Sequence, residues 1–376
     1  MSGAFSKVML QQQGDAAEKC VNLGVDLFNK GKLDEAAKQF KKAITINPNL
    51  PLAHRNLAVV YQAQGHTDDA VEEYKIVVNL EPNSSDAHND LGMAYFNQNY
   101  ISALDNAIEE FTAAINLNKR NAGAYANLAS CHLRTGDIKN AVDELKTALR
   151  IKPNDDNAHD LLGLAYDAQG NKKMAIDEFK TATRINQNNG EAHNHLGSEY
   201  LDQDNIADGI IEIEKALSIN PKNDGAYDNL GVAFLKQGRT SKAMDEFKTA
   251  IGINSHNGGA HFHLGLIYKQ QPLQLDAAIE EFKWATEVAP ENSMYSNYWG
   301  NALLERGDGS SLIDAEYAFK HTLIYDPNND KAHYGLGIVY MKQGHTNEAM
   351  DEFSKALEIN YKNTEARNKL DSLRKL

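Results

Sequence analysis

Two short stretches hold the residues with the most chemical capacity. "EAHNHLGSEY", residues 191–200, sets His193 and His195 two apart beside Glu191 and Glu199, and "GAHFHLGLIY", residues 259–268, repeats the arrangement with His261 and His263. Imidazole and carboxylate at short range are the ingredients of a metal site or an acid–base pair. The backbone decides whether they can act together. Side chains two residues apart share a face on a strand, but point about 200° apart on a helix. The stronger signatures of chemistry are missing: the chain has no HExxH, no pair of histidines at i, i+4, no GxSxG, no CxxC and no nucleotide fingerprint. "GDGSS" (307–311) lacks the ending of a phosphate loop and a preceding strand.

The elements that carry these histidines repeat. A large residue followed by a small one recurs as Leu23-Gly24, Leu57-Ala58, Leu91-Gly92, Leu128-Ala129, Leu162-Gly163, Leu196-Gly197, Leu230-Gly231, Leu264-Gly265, Trp299-Gly300 and Leu336-Gly337, mostly 34 residues apart. Three residues after most of the small ones stands an aromatic, such as Tyr61, Tyr95, Tyr166, Tyr200, Phe234, Tyr268 and Tyr340. Then comes Ala-x-x-x-Phe or a relative, with Gly209/Ile213 the weakest match. This pattern resembles the tetratricopeptide repeat family over residues 17–363, in ten units: 17–50, 51–84, 85–121, 122–155, 156–189, 190–223, 224–257, 258–292, 293–329 and 330–363. The resemblance implies an all-α, right-handed superhelical solenoid with two antiparallel helices per repeat. Apolar spacing at period 3.6, twice per unit with Gly or a polar turn between, supports the helices independently.

Numbering each repeat from its first residue puts the large–small pair at positions 7 and 8. Positions 4, 7, 8 and 11 then share an arc of about 100° on the first helix. Position 4 is His54, His88, His159, His193, His261 and His333, with Tyr125 and Tyr227 in two further repeats. These rings belong to the packing face, and His195 and His263, at position 6, to the opposite one. A shared metal is geometrically poor, and no metal or other cofactor is expected.

Positions 2, 6, 9 and 13 form the opposite arc, which in the family lines a concave inner surface. Position 6 carries Asn22, Asn56, Asn127 and Asn229, each able to accept from and donate to a bound backbone. This resembles the asparagine ladder in the repeat arm of O-linked N-acetylglucosamine transferases, broken here at Leu161 and His195. Position 9 adds an apolar stripe that includes Val59, Met93, Leu164, Val232 and Leu266. A stripe of that kind marks a binding groove; burial against neighbouring repeats is the alternative. The Lys/Asn/Arg set of the family's C-terminal carboxylate clamp is absent from any three consecutive repeats. Acidic runs in the second helices ("DDAVEEY", "DAAIEEF") read as a solvated outer face. Three longer turns, 97–106, 269–276 and 305–314, are insertions expected on loops, with Gly307 and Gly309 suggesting mobility in the third.

Composition limits the partners. A formal net charge of -14 disfavours nucleic acid and anionic membranes. No run approaches the roughly 18 apolar residues of a membrane span, and the start has no secretory core. Cys20 and Cys131 form no framework, which points to a reducing, cytoplasmic compartment. Residues 1–16 read as a lead or cap and 364–376 as a capping helix, leaving no room for a catalytic domain in this chain. The expectation is therefore a non-catalytic scaffold that binds extended protein segments in its groove. The alternative is a substrate-recognition or adaptor subunit of an enzyme, for example a glycosyltransferase, carried on another chain. Neither the partner nor the oligomeric state can be read from the sequence.

Overall fold

The structure is a computed structural model that describes residues 2–98, 101–271 and 273–374. Met1, residues 99–100 and 272 of two of the expected longer turns, and residues 375–376 of the expected capping helix lie outside the described residues. Those described form 21 helices and no strand, and the chain divides into two units, 1–189 and 190–376. Each unit is a stack of antiparallel helix pairs.

The local sequence explains each pair. Ser84, Asn121, Asp155, Asn223, Asn257 and Asn329 cap the first helices of their repeats, each accepting from the N–H of an alanine three residues on. That alanine, at position 3, is fully buried in every case. Most first helices end in a tight turn, where Gly65, Gly170 or Gly238 takes a positive φ. The second helix then returns with its phenylalanine on the small residue at position 8. A Cβ on Gly163, Gly231 or Gly337 would stand 2.4–2.6 Å from the ring of Phe179, Phe247 or Phe353. These rings are at most 1% exposed, so the glycine fixes how closely the helices approach.

Repeat six solves the same problem differently. Its helices, Gly190–Asp202 and Ile206–Ile219, bring Gly197 against Gly209. A Cβ on Gly209 would meet Leu201 Cδ2 at 2.7 Å and the carbonyl of Gly197 at 3.1 Å, while one on Gly197 would meet Ile213 at 2.6 Å. Ile213, fully buried, takes the phenylalanine's place on Gly197, and Leu201, 2% exposed, packs against Gly209. The weak match at Gly209/Ile213 is a compensated pair.

Single repeats are also closed on themselves by polar bonds between their first and last residues. Asn186 and Asn189 both donate to Asp156, Asn254 and Asn257 to Asp224, and Asn360 and Asn363 to Asp330, all at 2.8–3.0 Å.

Two of the three insertions do not form loops. Each lengthens a second helix to 17 residues, Ile101–Leu117 and Gly309–Tyr325, where 14 is usual. Three residues add nearly one helical turn, so the packing face keeps its phase. Between Arg306 and Gly309 only two residues remain. Gly307 closes one helix at φ +73° and Asp308 caps the next, so this connection is a tight double cap and not a mobile turn. Bonds from the N–H of Ser311 and the hydroxyls of Ser310 and Ser311 hold the Asp308 carboxyl well below the usual carboxylate range. The third insertion stays a turn, with Leu273 fully exposed at φ +71°. At the ends, the first helix runs unbroken from Ser2 to Asn29, and Thr364–Leu373 buries Ala366 and Leu370 against Phe353.

Candidate functional site

The histidines come first. Position 4 places Nδ1 of His54, His88, His159, His193, His261 and His333 at 2.5–2.6 Å from Glu73, Glu110, Glu178, Glu212, Glu281 and Glu352 on the second helix of the same repeat. In five of them Nε2 meets a backbone carbonyl of the preceding turn, that of Pro48, Pro82, Pro153, Ser255 or Pro327. Both nitrogens are occupied, so those five rings have no lone pair to offer a metal. The expected solvated acidic face needs correcting here. In "EE" pairs the first glutamate, Glu72 or Glu280, is exposed, whereas Glu73 and Glu281 turn under a histidine. Where position 4 is Tyr125, His132 takes over the glutamate, Glu144, at 2.8 Å. Where it is Tyr227, Glu246 has its pKa raised by burial.

His261 and His263 have different partners. His263 bonds Asp228 at 2.9 Å and stacks on Phe247, away from Glu281. Among the described residues no three His, Cys, Asp or Glu side chains converge as a metal site would require.

On the inner arc, position 5 of one repeat pairs with position 6 of the next. In the N-terminal unit Arg55 Nε meets Asp90 at 3.1 Å, and Asn127 donates to Asn89 at 2.9 Å. Burial raises the pKa of Asp90, and Arg55 opposes it. In the C-terminal unit Asn229 donates to Asn194 at 2.9 Å, Asp228 pairs with His263, and Phe262 meets Tyr298 edge-on at 5.1 Å. A Cβ at Gly259 would strike Asp228 at 2.5 Å, so that glycine makes room for the pairing. Asn127 and Asn229 thus already spend a donor on their neighbours. Asn22 is exposed and Asn56 half-buried, and neither makes a side-chain bond among the described residues. Position 5 was the missed position. Its signal was readable by setting it against position 6 of the following repeat.

The apolar stripe is half-buried. Val59 packs against the cluster that holds Tyr74, Met93 against that of Phe111, Val232 against those of Ile213 and Phe247, and Leu266 against that of Phe282; Leu164 is half-buried too. Open apolar surface on this arc lies instead at Val25, Leu52 and Met294, which are 37%, 52% and 46% exposed. Glu18, Val21, Asn22, Leu50 and Leu52 line a pocket of about 160 Å³ between the first helices of repeats one and two. Leu52 and Met294 were legible as apolar residues at position 2.

Stacked helix pairs that meet through a Gly-on-Phe contact, with capped first helices and side chains paired between repeats, define a helical repeat scaffold. The chain belongs to the tetratricopeptide repeat family: profiles of that family match residues 24–65, 55–100, 102–165, 157–189, 194–258 and 311–373. A TPR repeat-containing thioredoxin, TDX, of Oryza sativa subsp. japonica is 42% identical over 50 residues, which are 13% of this chain and 16% of that protein. Among solved structures, yeast Tom70 aligns with 96% of this chain and 95% of its own at TM-score 0.51 and 16% identity. A human IFIT1 dimer with m7Gppp-AAAA aligns with 92% of this chain and 90% of its own at TM-score 0.56 and 16% identity. These similarities concern the fold. No helix among the described residues is long and apolar enough to cross a membrane.

Proposed function

We propose that the chain is a non-catalytic scaffold that holds extended protein segments on the inner arc of its first helices. The observation that carries this reading is the pocket between repeats one and two. It combines open apolar surface at Leu52 with the free amide of Asn22, and the unengaged amide of Asn56 lies on the same arc. Apolar contact supplies affinity, and an amide can match the C=O and N–H of an extended backbone. Within the N-terminal unit Asn127 keeps an acceptor oxygen for such a segment and Val59, Met93 and Leu164 are half-buried on the same arc; within the C-terminal unit Asn229, Val232 and Leu266 serve in the same way. A nucleic-acid partner is disfavoured by the charge of -14.

The test is site-specific photocrosslinking from residue 52 and from residue 72 on the outer face, followed by titration of the captured protein. Crosslinks from 52 and not from 72 are expected. The double variant Asn22→Ala/Asn56→Ala should bind about five- to a hundredfold more weakly, at roughly 0.5–1.5 kcal/mol per hydrogen bond. Equal affinity for wild type and variant, with capture from residue 72 only, would move the site to the outer face.

A further inference from the structure

Three outward positions of the second helices are polar along most of the chain. Counted from the packing phenylalanine, or the residue that replaces it, they lie six before, two before and five after. In the repeat of Phe282 they are Asp276, Glu280 and Glu287, and in that of Phe353 they are Asn347, Asp351 and Glu358. In the repeat of Phe319, repeat nine, they are Ile313, Tyr317 and Ile324. At the second of these positions seven of the ten repeats carry Asp or Glu, and at the third all nine others carry a polar residue or glycine. Repeat nine therefore turns apolar where its neighbours are charged.

Ile313, Tyr317 and Ile324 are 67%, 61% and 70% exposed. They fall within about 40° of one another on the helix Gly309–Tyr325 and span roughly 16 Å along it. A continuous row of large apolar side chains on an otherwise charged surface marks a docking face. The row is also held in shape. Tyr317 stands edge-on to the buried Trp299 with ring centroids 6.1 Å apart, and His321 links Tyr317 to Tyr325 at 6.0 and 5.2 Å. Rings already fixed lose little freedom on binding. Charge borders the row. Glu280 and Glu287 are exposed on the preceding second helix, Leu275–Val288, and Asp351 and Glu358 on the following one, Thr346–Ile359. The ammonium groups nearby are already engaged: Lys320 bonds Glu316 at 2.7 Å, Lys355 bonds Glu352 at 2.7 Å, and Lys283 lies 3.8 Å from Glu287.

We propose that this outer face of repeat nine is a second docking surface, and that its occupant is an amphipathic helix of another protein whose apolar row is flanked by lysine or arginine. A helix satisfies its own backbone and asks only for side-chain contacts, whereas the row offers no backbone groups to an extended strand. The basic flanks follow from the carboxylates on both sides. A second copy seated through the same face would set acidic border against acidic border, and anionic headgroups would be repelled likewise. The surface is independent of the inner arc, which belongs to the first helices.

The experiment titrates the full chain against two labelled synthetic helices that share a leucine row, one flanked by lysines and one by glutamates, with fluorescence anisotropy as the readout. A scrambled peptide of the lysine-flanked composition measures attraction to the chain's negative charge alone. The lysine-flanked helix should bind saturably, and the other two about tenfold or more weakly. Ile313→Asn/Ile324→Asn, checked for fold by circular dichroism, introduces the residue that Asn347 and Asn79 supply at these positions in other repeats. It should weaken the lysine-flanked helix about tenfold or more. Glu280→Gln/Asp351→Asn/Glu358→Gln should weaken it too and flatten its salt dependence. Asn22→Ala/Asn56→Ala should leave it unchanged, so failure here and failure of the inner site are read apart. Absence of saturable binding, equal binding of the scrambled peptide, or equal affinity of wild type and the isoleucine variant would overturn the proposal. So would sedimentation showing a wild-type dimer that the isoleucine variant dissociates, because a second copy would then hold the face.

Discussion

Gly209 should resist the substitution that the repeat pattern recommends. Nine of ten repeats carry alanine at its position, and alanine in a helix is favoured over glycine by roughly 0.5–1 kcal/mol. Comparison of repeats therefore predicts that Gly209→Ala stabilises. The structure predicts the reverse, because the new methyl would stand 2.7 Å from Leu201 and 3.1 Å from the carbonyl of Gly197. Leu201 is 2% exposed and the carbonyl belongs to a helix, so neither yields freely. Overpacking of this kind costs about 1–3 kcal/mol, leaving a net loss of up to about 2.5 kcal/mol after the propensity gain. Gly252 is the internal control: it lies in the second helix of repeat seven with no atom within 4 Å of a Cβ built there. Gly252→Ala should gain the propensity term alone. Urea titrations followed by far-UV circular dichroism would place the two variants on opposite sides of wild type. If both raise the midpoint, the close approach of Gly197 and Gly209 does not govern this helix pair.

The other predictions concern bonds and burial. Asn127→Ala removes the bond to Asn89 and should lower stability by about 0.5–1.5 kcal/mol, whereas Asn22→Ala and Asn56→Ala should stay within about 0.5 kcal/mol of wild type; equal losses in the same titration would contradict the pairing of positions 5 and 6. Cys131 is fully buried and its thiol is pushed up to about 12, chiefly by desolvation. At pH 8 it should resist an alkylating reagent until the chain unfolds, and native labelling as fast as in urea would contradict its burial. Because its folded pKa is raised, its contribution to stability is present below the ordinary thiol value near 8.5 and declines as pH rises toward 12.

The family and the helix pairing were legible because their determinants are local and periodic. Gly163 and Phe179 occupy fixed positions in one repeat, and their contact follows from helix geometry alone. The candidate site was legible only in outline. Asn127 was visible as an inner amide, but its partner Asn89 lies 38 residues earlier, across an insertion, and no single-repeat pattern links them. The exposure of Val59 or Met93 was unreadable for a related reason: it depends on how closely the next helix approaches, which the small residues of other positions determine. Glu73 looked solvent-facing because acidic residues usually are, and only the position-4 ring above it shows which member of the pair turns inward. Insertion length was plain in the sequence, but whether three residues extend a helix or a loop depended on capping at Asp308.

The pairing between positions 5 and 6 also bears on how such a chain can be edited. Arg55 needs Asp90, Asn89 needs Asn127, and Asp228 needs His263. Each of these junctions therefore accepts a particular successor, although all repeats share one fold. Excision of residues 85–121 would preserve every helix pair that remains, yet it would bring Arg55 against Asn127 and remove the carboxylate that its Nε meets, leaving only the longer contact to Glu81. Exchange of repeats seven and eight would strand Asp228 in the same way. The order of the repeats is thus written into their junctions, and a shortened or shuffled array must carry position 5 and the following position 6 together as one inherited piece.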